Sequence, residues 1–345
     1  MTKTISPRAK KALKTETVSD QKFALPQDRL HELYYFLRLN RSVDERLANL
    51  YRQGKVVGGL YSSLGQEGIS VATAFALEKQ DVLGPMIRNL GATLVRGFKP
   101  RDLFCQYMAR SSGPTGGRDC NLHFGDLDRG VMACISMLGA LIPVMAGIAL
   151  SSTLRGEARV ALTYIGDGGT RVGDFHEGLN FAAVKNLPLV VIVENNQFAY
   201  STPVGSQMNN TRISDFAQAY GIFGTTIDGN DVLEVYHTTK EAVEQARRGG
   251  GPALIECVTF RMRGHAEHDD AKYVPQELLE FWKKKDPILR FERYLLDNGI
   301  MTQGEQQSII DRITRELDAD VACAESSPLP EPALGGTALP GVYAD

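Results

Sequence analysis

The sequence predicts an α/β chain, built on a doubly wound, mostly parallel sheet with helices on both faces. Two apolar runs, Val160-Ala161-Leu162-Thr163-Tyr164-Ile165 and Leu189-Val190-Val191-Ile192-Val193, read as buried strands. The stretch from Val172 to Asn186 between them has helix length, which completes a βαβ unit. Each run ends in a polar signal, Gly166-Asp167-Gly168 after the first and Asn195-Asn196 after the second. Open α/β sheets bind ligands outside the carboxyl ends of their strands. Asp167 and Asn196 are therefore aimed at one edge, and a carboxylate with an amide oxygen there suits a hard cation such as magnesium, which is often shared with phosphates.

The remaining elements follow in order. Leu30, Leu33, Tyr34, Leu37, Val43, Leu47 and Leu50 give a helical period over Arg29–Gln53, broken at Gly54 and Gly58-Gly59. Gln66–Leu77 and Arg101–Ala109 read as helices, and the glycine-rich Ser111–Asp128 as a surface loop. Val131–Leu154 holds no charged residue. Its length would allow a membrane span, but its glycines, serines and proline favour a helix buried against the sheet or a partner. Strand–helix alternation starts at Val160. A loop spans Gln197–Ile213, and Asp215–Tyr220 is a helix. A short strand over Gly224–Ile227, a helix over Val232–Arg247 entered through Asp231, and an apolar strand over Ala253–Phe260 follow. Arg261–Pro275 is loop, and helices then occupy Gln276–Lys284, the segment capped by Asp286 with Pro287, and Ile309–Cys323 behind a Thr302/Glu305 capping box. The chain divides into an N-terminal arm (1–25), one globular domain (26–325) and an extended tail (326–345).

Bulk properties narrow the function classes. With 43% hydrophobic and 23% charged residues among 345, the composition is that of a soluble globular chain. The net charge of −3 gives no basic footprint for nucleic acid. Five widely spaced cysteines, with no CxxC pair, read as reduced thiols in a reducing compartment. The basic N-terminus reads as a disordered arm, with a weak organelle-targeting peptide as the alternative. The expected location is the cytoplasm, or the mitochondrial matrix for a eukaryotic source, with neither membrane nor nucleic acid as partner.

A diphosphate held through magnesium needs metal ligands, backbone donors and a cation. Asp167 and Asn196 supply side-chain oxygens, Phe198 is placed to offer its carbonyl, and Gly168 and Gly169 open the next helix with free N–H groups. Taken alone, Asp167 reads as a turn or cap, His265 as an exposed loop residue and His176 as an ordinary helix position. His265 and His268 with Asp269 and Asp270 read as an acidic loop rather than a zinc site.

The paired signals with a βαβ unit between them form the thiamine-diphosphate signature. The stretch from Tyr164 to Thr202 resembles the alpha subunit of the first component of 2-oxoacid dehydrogenase complexes. The resemblance runs from about Leu30 to the end of the chain. It includes Gly65-Gln66-Glu67-Gly68, Arg88, Ala146–Leu150, Arg263-Gly264-His265 and Asp286-Pro287. It implies Asp167, Asn196 and the Phe198 carbonyl as magnesium ligands, and Arg88 on the diphosphate. It implies Ser136 and Leu138 against the aminopyrimidine, and His265 near the diphosphate and reacting centre. It further implies decarboxylation of a 2-oxoacid and acyl transfer to the lipoyl group of an acyltransferase core. The ylid-forming glutamate would come from a beta subunit, in a heterotetramer of two alpha and two beta subunits.

Asn196–Pro203 and Val342-Tyr343 lean toward the branched-chain member; pyruvate and acetoin dehydrogenases are the alternatives. A non-catalytic phosphate-binding α/β module is the reading from another class. Departures from the family pattern are Ile87 where a tyrosine often precedes the arginine and Tyr61 where pyruvate-type members carry histidine. Ala140 and Leu141 replace polar potassium ligands. Ala266 replaces the regulatory serine, so kinase control of that loop is not expected.

Overall fold

The computed structural model describes residues 24–331, so residues 1–23 of the expected arm and 332–345 of the expected tail lie outside the described residues. Its centre is a five-stranded parallel sheet of β1 (Val82–Gly84), β2 (Ala161–Gly166), β3 (Leu189–Asn195), β6 (Phe223–Asp228) and β7 (Ala253–Val258). The spatial order is β1-β2-β3-β7-β6. A two-stranded hairpin, β4 (Phe198–Ala199) with β5 (Thr202–Pro203), projects beyond the end of β3. The three central strands are continuous apolar runs because both sheet faces are covered. Alternate side chains serve opposite cores: Val190 and Ile192 on one face, Val191 and Val193 on the other.

The first face is covered by α1 (Gln27–Arg52), α2 (Glu67–Phe75) and α9 (Val232–Arg247). Around it stand α3 (Leu90–Val95), α4 (Pro100–Tyr107), α10 (Gln276–Lys283), α11 (Pro287–Asp297) and α12 (Gln303–Ser326). The second face is covered by α5 (Leu141–Arg155) and α6 (Gly173–Lys185), whose Met145, Phe175 and Leu179 pack on Ala161, Val191 and Leu254. Two short helices, α7 (Val204–Gln207) and α8 (Phe216–Tyr220), lie between β5 and β6. The expected caps form: Asp286 accepts the N–H groups of Ile288 and Leu289, and Thr302 and Glu305 close a capping box.

Four expectations need correction. The alternation begins at β1, before Val160; with three residues, that strand is too short to show a period. Gly84 within it admits Met145, whose Cγ would lie 2.9 Å from an added Cβ. The charge-free stretch is not one buried helix. Residues 131–140 are irregular and partly exposed, and α5 begins only at Leu141. That helix buries one stripe while Val144 and Leu154 face outward. Gly168 and Gly169 do not open α6; they lie in a single 3-10 turn, Gly168–Arg171, that precedes it. The 197–213 loop contains β4, β5 and α7. No helix among the described residues is long and apolar enough to cross a membrane.

At the amino edge of the sheet, Arg247 on α9 donates from Nη1 and Nη2 to Asp81, whose carboxylate also accepts the N–H groups of Val160 and Glu78. Asp81 is fully buried. Removing one partner of a buried pair strands the other charge, at a cost of about 3–5 kcal/mol. Arg247→Leu is expected to lose stability on that scale in urea unfolding followed by circular dichroism.

Candidate active site

Four neighbouring strands deliver polar residues to one edge. Arg88 follows β1, Asp167 follows β2, Asn196 follows β3 and Arg261 follows β7. The register pairs Gly166 with Glu194 and Glu194 with Cys257, which sets these chain ends level.

Asp167 is buried, and burial raises its carboxyl pKa against the hydrogen bond from Gln207 Nε2 (2.9 Å) and the Asn196 backbone N–H. It forms no salt bridge among the described residues. Asn196 Nδ2 donates to Gln66 Oε1 at 3.1 Å, and its Oδ1 accepts the Phe198 N–H at 3.3 Å. The Phe198 carbonyl accepts from Arg261 Nη1 at 3.4 Å. Gln207 Oε1 and Gln66 Nε2 are buried with no hydrogen-bond partner among the described residues. Gly168 lets the hairpin close over the site; an added Cβ would sit 2.5 Å from Ala199 Cβ.

Arg88 is 7% exposed and Arg261 3%. Neither forms a salt bridge among the described residues. Arg88 spends its donors on carbonyls, Nη1 to Ser62 O at 2.8 Å and Nη2 to His265 O. Burial, then repulsion from Arg261, lowers its pKa to about 10. Arg261 donates to Tyr200 O (2.7 Å) and Tyr273 OH (2.8 Å). Two buried guanidiniums without a carboxylate, beside a buried carboxylate without a cation, form an arrangement that a bound anion and a bound cation would complete.

His265 bridges these groups. Its ring stands 4.6 Å from Tyr200 and edge-on to Tyr61 at 5.4 Å, between centroids. Its backbone N–H donates to Asp269, which also accepts from the Tyr273 hydroxyl. Burial works against the Asp269 anion, yet these bonds and Arg261 hold its pKa down to about 2. His265 itself is pushed down to about 4, by burial first and then by Arg88 and Arg261. Arg88 Nη2 lies 3.4 Å from Nδ1, so Nδ1 is an acceptor and the proton of the neutral ring is on Nε2.

Leu138 is largely exposed, and its Cβ would lie 3.7 Å from a Cβ on Gly169, so it borders the same pocket edge. Ser136 lies on the same exposed segment, with Oγ 2.6 Å from His123 Nε2, while His123 Nδ1 is 3.3 Å from Asp119. His176 bonds Tyr220 on the second face. Ile87 packs on the first core, which leaves Tyr61 as the departure that faces the site. The sequence assigns no site role to Arg261, Gln207, Gln66, Tyr200 or His123. Arg261 carries a usable signal, since it is the first charge after the apolar run that ends at Phe260. The others come from the hairpin, the short helix α7 and loops, where no periodic signal marks them.

Among the described residues, no cluster of three His, Cys, Asp or Glu side chains could hold a metal ion. The oxygens near Asp167 are one carboxylate plus amides and a carbonyl. Such oxygen donors are of the kind a hard divalent cation takes, with waters or phosphate oxygens completing its shell.

The model of the dehydrogenase E1 component family matches residues 35–333. The chain belongs to that family. It is 37% identical to the 2-oxoisovalerate dehydrogenase subunit alpha of Bacillus subtilis, over 94% of this chain and 98% of that one. It is 36% identical to the pyruvate dehydrogenase E1 component subunit alpha of the same organism, over 88% and 80%. Its identity to the alpha subunit of that organism's acetoin:2,6-dichlorophenolindophenol oxidoreductase is 32%, over 93% and 95%. The E1 family depends on thiamine diphosphate, and the cation-lined edge of this E1 chain fits that group's diphosphate end.

The unfolded chain protonates histidine near its ordinary value of 6.5, whereas folded His265 stays neutral down to about 4. The unfolded state thus binds the extra proton in that window, and stability should fall as pH drops from about 6.5 to 4. His265→Gln is expected to flatten that part of a stability–pH curve measured by urea unfolding.

Proposed function

We propose that this chain is the alpha subunit of a thiamine-diphosphate-dependent 2-oxoacid dehydrogenase that acts on a branched-chain 2-oxoacid and passes the acyl group to the lipoyl arm of an acyltransferase core. The observation that carries the reading is the row Arg88, Asp167, Asn196, Arg261 at the carboxyl ends of four adjacent strands. When bound, thiamine diphosphate supplies the carbon nucleophile and the electron sink for loss of carbon dioxide.

The residues have separate tasks in this reading. Asp167, the Asn196 amide oxygen and the Phe198 carbonyl would hold magnesium. Arg88 pairs with the diphosphate, and Arg261 adds a second positive charge behind the hairpin. Gly168 and Gly169 keep the backbone close to the phosphates. Ser136 and Leu138 border the aminopyrimidine end. His265, neutral with its proton on Nε2, donates a hydrogen bond at the reacting centre, and the aromatic rings of Tyr61 and Tyr200 hold its orientation. With negative charge placed beside Arg88 and Arg261, the His265 pKa would rise and Nδ1 would be able to take up a proton.

The relatives are alpha subunits, and a glutamate for the aminopyrimidine is assigned to a beta subunit, in a heterotetramer of two alpha and two beta chains. The outward apolar side chains Val144 and Leu154 on α5 and Phe181 and Val184 on α6 support a contact surface there. Five free cysteines support a reducing compartment, the cytoplasm. Tyr61, in place of a histidine, and the 37% identity to the 2-oxoisovalerate enzyme favour a branched substrate. Acetoin is the second reading, on the 32% identity.

Turnover of the alpha–beta complex on 2-oxoisovalerate, pyruvate and acetoin tests the substrate. The highest kcat/KM is expected with 2-oxoisovalerate, and a preference for either of the others overturns that choice. Asp167→Ala and Asn196→Ala should each abolish saturable binding of thiamine diphosphate with magnesium in calorimetry. Unchanged binding would overturn the assignment of Asp167 and Asn196 to the metal. His265→Ala should lower acyl transfer about 100-fold, within the span of general acid–base contributions, while the melting temperature moves by only a few degrees.

A further inference from the structure

Glu194 is the penultimate residue of β3, and its carboxylate is buried at 1% exposure. Its neighbours on β3 explain why it faces the way it does. Val190, Ile192 and Glu194 alternate onto the first face, toward α2 and α3, while Asn195 turns to Glu256 on the other. Glu194 Oε1 accepts a hydrogen bond from Asn89 Nδ2 at 2.6 Å, and Oε2 has no hydrogen-bond partner among the described residues. A buried acid that makes a single side-chain contact is costly, so the contact it makes is informative.

Asn89, fully buried, is the hub of the turn that follows β1. Its Oδ1 accepts the Met86 N–H at 2.8 Å, and its own N–H donates to the Met86 carbonyl at 3.0 Å. Arg88 sits inside that closed turn, one residue before Asn89. The Arg88 guanidinium binds two carbonyls, Ser62 O and His265 O, and Glu194 reaches it only through space. Glu194 therefore holds the Arg88 turn through Asn89, while the guanidinium keeps no carboxylate partner that would compete with a ligand.

We propose that Glu194 is a positioning residue for Arg88: through Asn89 it fixes the turn that aims the guanidinium at the diphosphate. The inference rests on the assignment of Arg88 to the diphosphate made above. Asn89 is the intermediary, since it spends one end of its amide on the turn and the other on β3. The strand that carries Asn196 thereby also sets the place of the cation, so metal ligand and anion partner share one rigid reference.

The test is a charge swap in the alpha–beta complex, read by the Kd for thiamine diphosphate at pH 8 with magnesium. Glu194→Gln keeps the acceptor oxygen for Asn89 and should stay within twofold of wild type. Asn89→Asp keeps the acceptor for Met86 but faces two carboxylates, and should weaken binding at least tenfold. The double variant Glu194→Gln/Asn89→Asp restores a donor–acceptor pair in the reverse sense and should return to within about threefold. Its kcat at saturating cofactor should match wild type in the same preparation. Rescue of Kd by the swap is a result that general loss of packing would not give. Asn89→Asp binding like wild type, or a double variant as weak as Asn89→Asp, overturns the proposal. If the wild-type complex shows no saturable binding of thiamine diphosphate, the assignment of Arg88 fails instead, and the two failures are thereby distinguished.

Discussion

The structure turns on two buried guanidiniums that lack carboxylate partners. Arg88 and Arg261 stand close enough to repel each other, and both are nearly inaccessible to water. Burying a charge without a partner is expensive. Elsewhere the fold follows the usual rule: Arg41 pairs with Glu67 and Asp286, and Arg247 with Asp81. At the strand ends the rule is broken twice, and Asp167, an acid close to Arg261, is itself left to the Gln207 amide. Sites that break local rules while the surroundings obey them are where function is expected.

The surroundings keep this edge rigid. Arg88 sits in a turn tied to β3 through Asn89 and Glu194, and to the α1–α2 connection through Ser62. There Asp44 accepts from the hydroxyls of Ser62 and Ser63 and from the Ser63 N–H, and burial raises its carboxyl pKa to about 6. Burial also raises Glu194 to about 7, against the Asn89 hydrogen bond and the nearby Arg88. Arg261 is tied to the hairpin and to Tyr273. The His265 loop hangs from the same arginine through Tyr273 and Asp269. Sheet, hairpin and loop thus meet on the two cations, and a change of charge there would reach His265 directly.

The outer surfaces differ. On the first face, helices cover the sheet in depth. On the second, α5 and α6 form a single layer whose outward side carries Leu154, Phe181 and Val184. The exposed segment with Ser136, Met137 and Leu138 lies before α5, beside Gly169. Arg88 is buried on one side of the site, while Leu138 on the other side is exposed.

The sequence by itself determined the sheet and its polar edge. Short apolar runs rich in β-branched residues and bounded by turn signals read as strands buried on both faces, and a βαβ connection fixes parallel direction, so Asp167 and Asn196 share an edge. Capping residues such as Asp286 and Thr302 act within one turn and were legible for the same reason. Tertiary structure decided what local pattern does not encode. It brought the three-residue β1 to the sheet, which set Arg88 beside β2. It brought Arg261 from the end of β7 against Phe198, and it turned the 3-10 segment at Gly168 under the hairpin. It also lowered the His265 pKa, because the field of Arg88 and Arg261 and the loss of water arise only when distant segments of the chain meet.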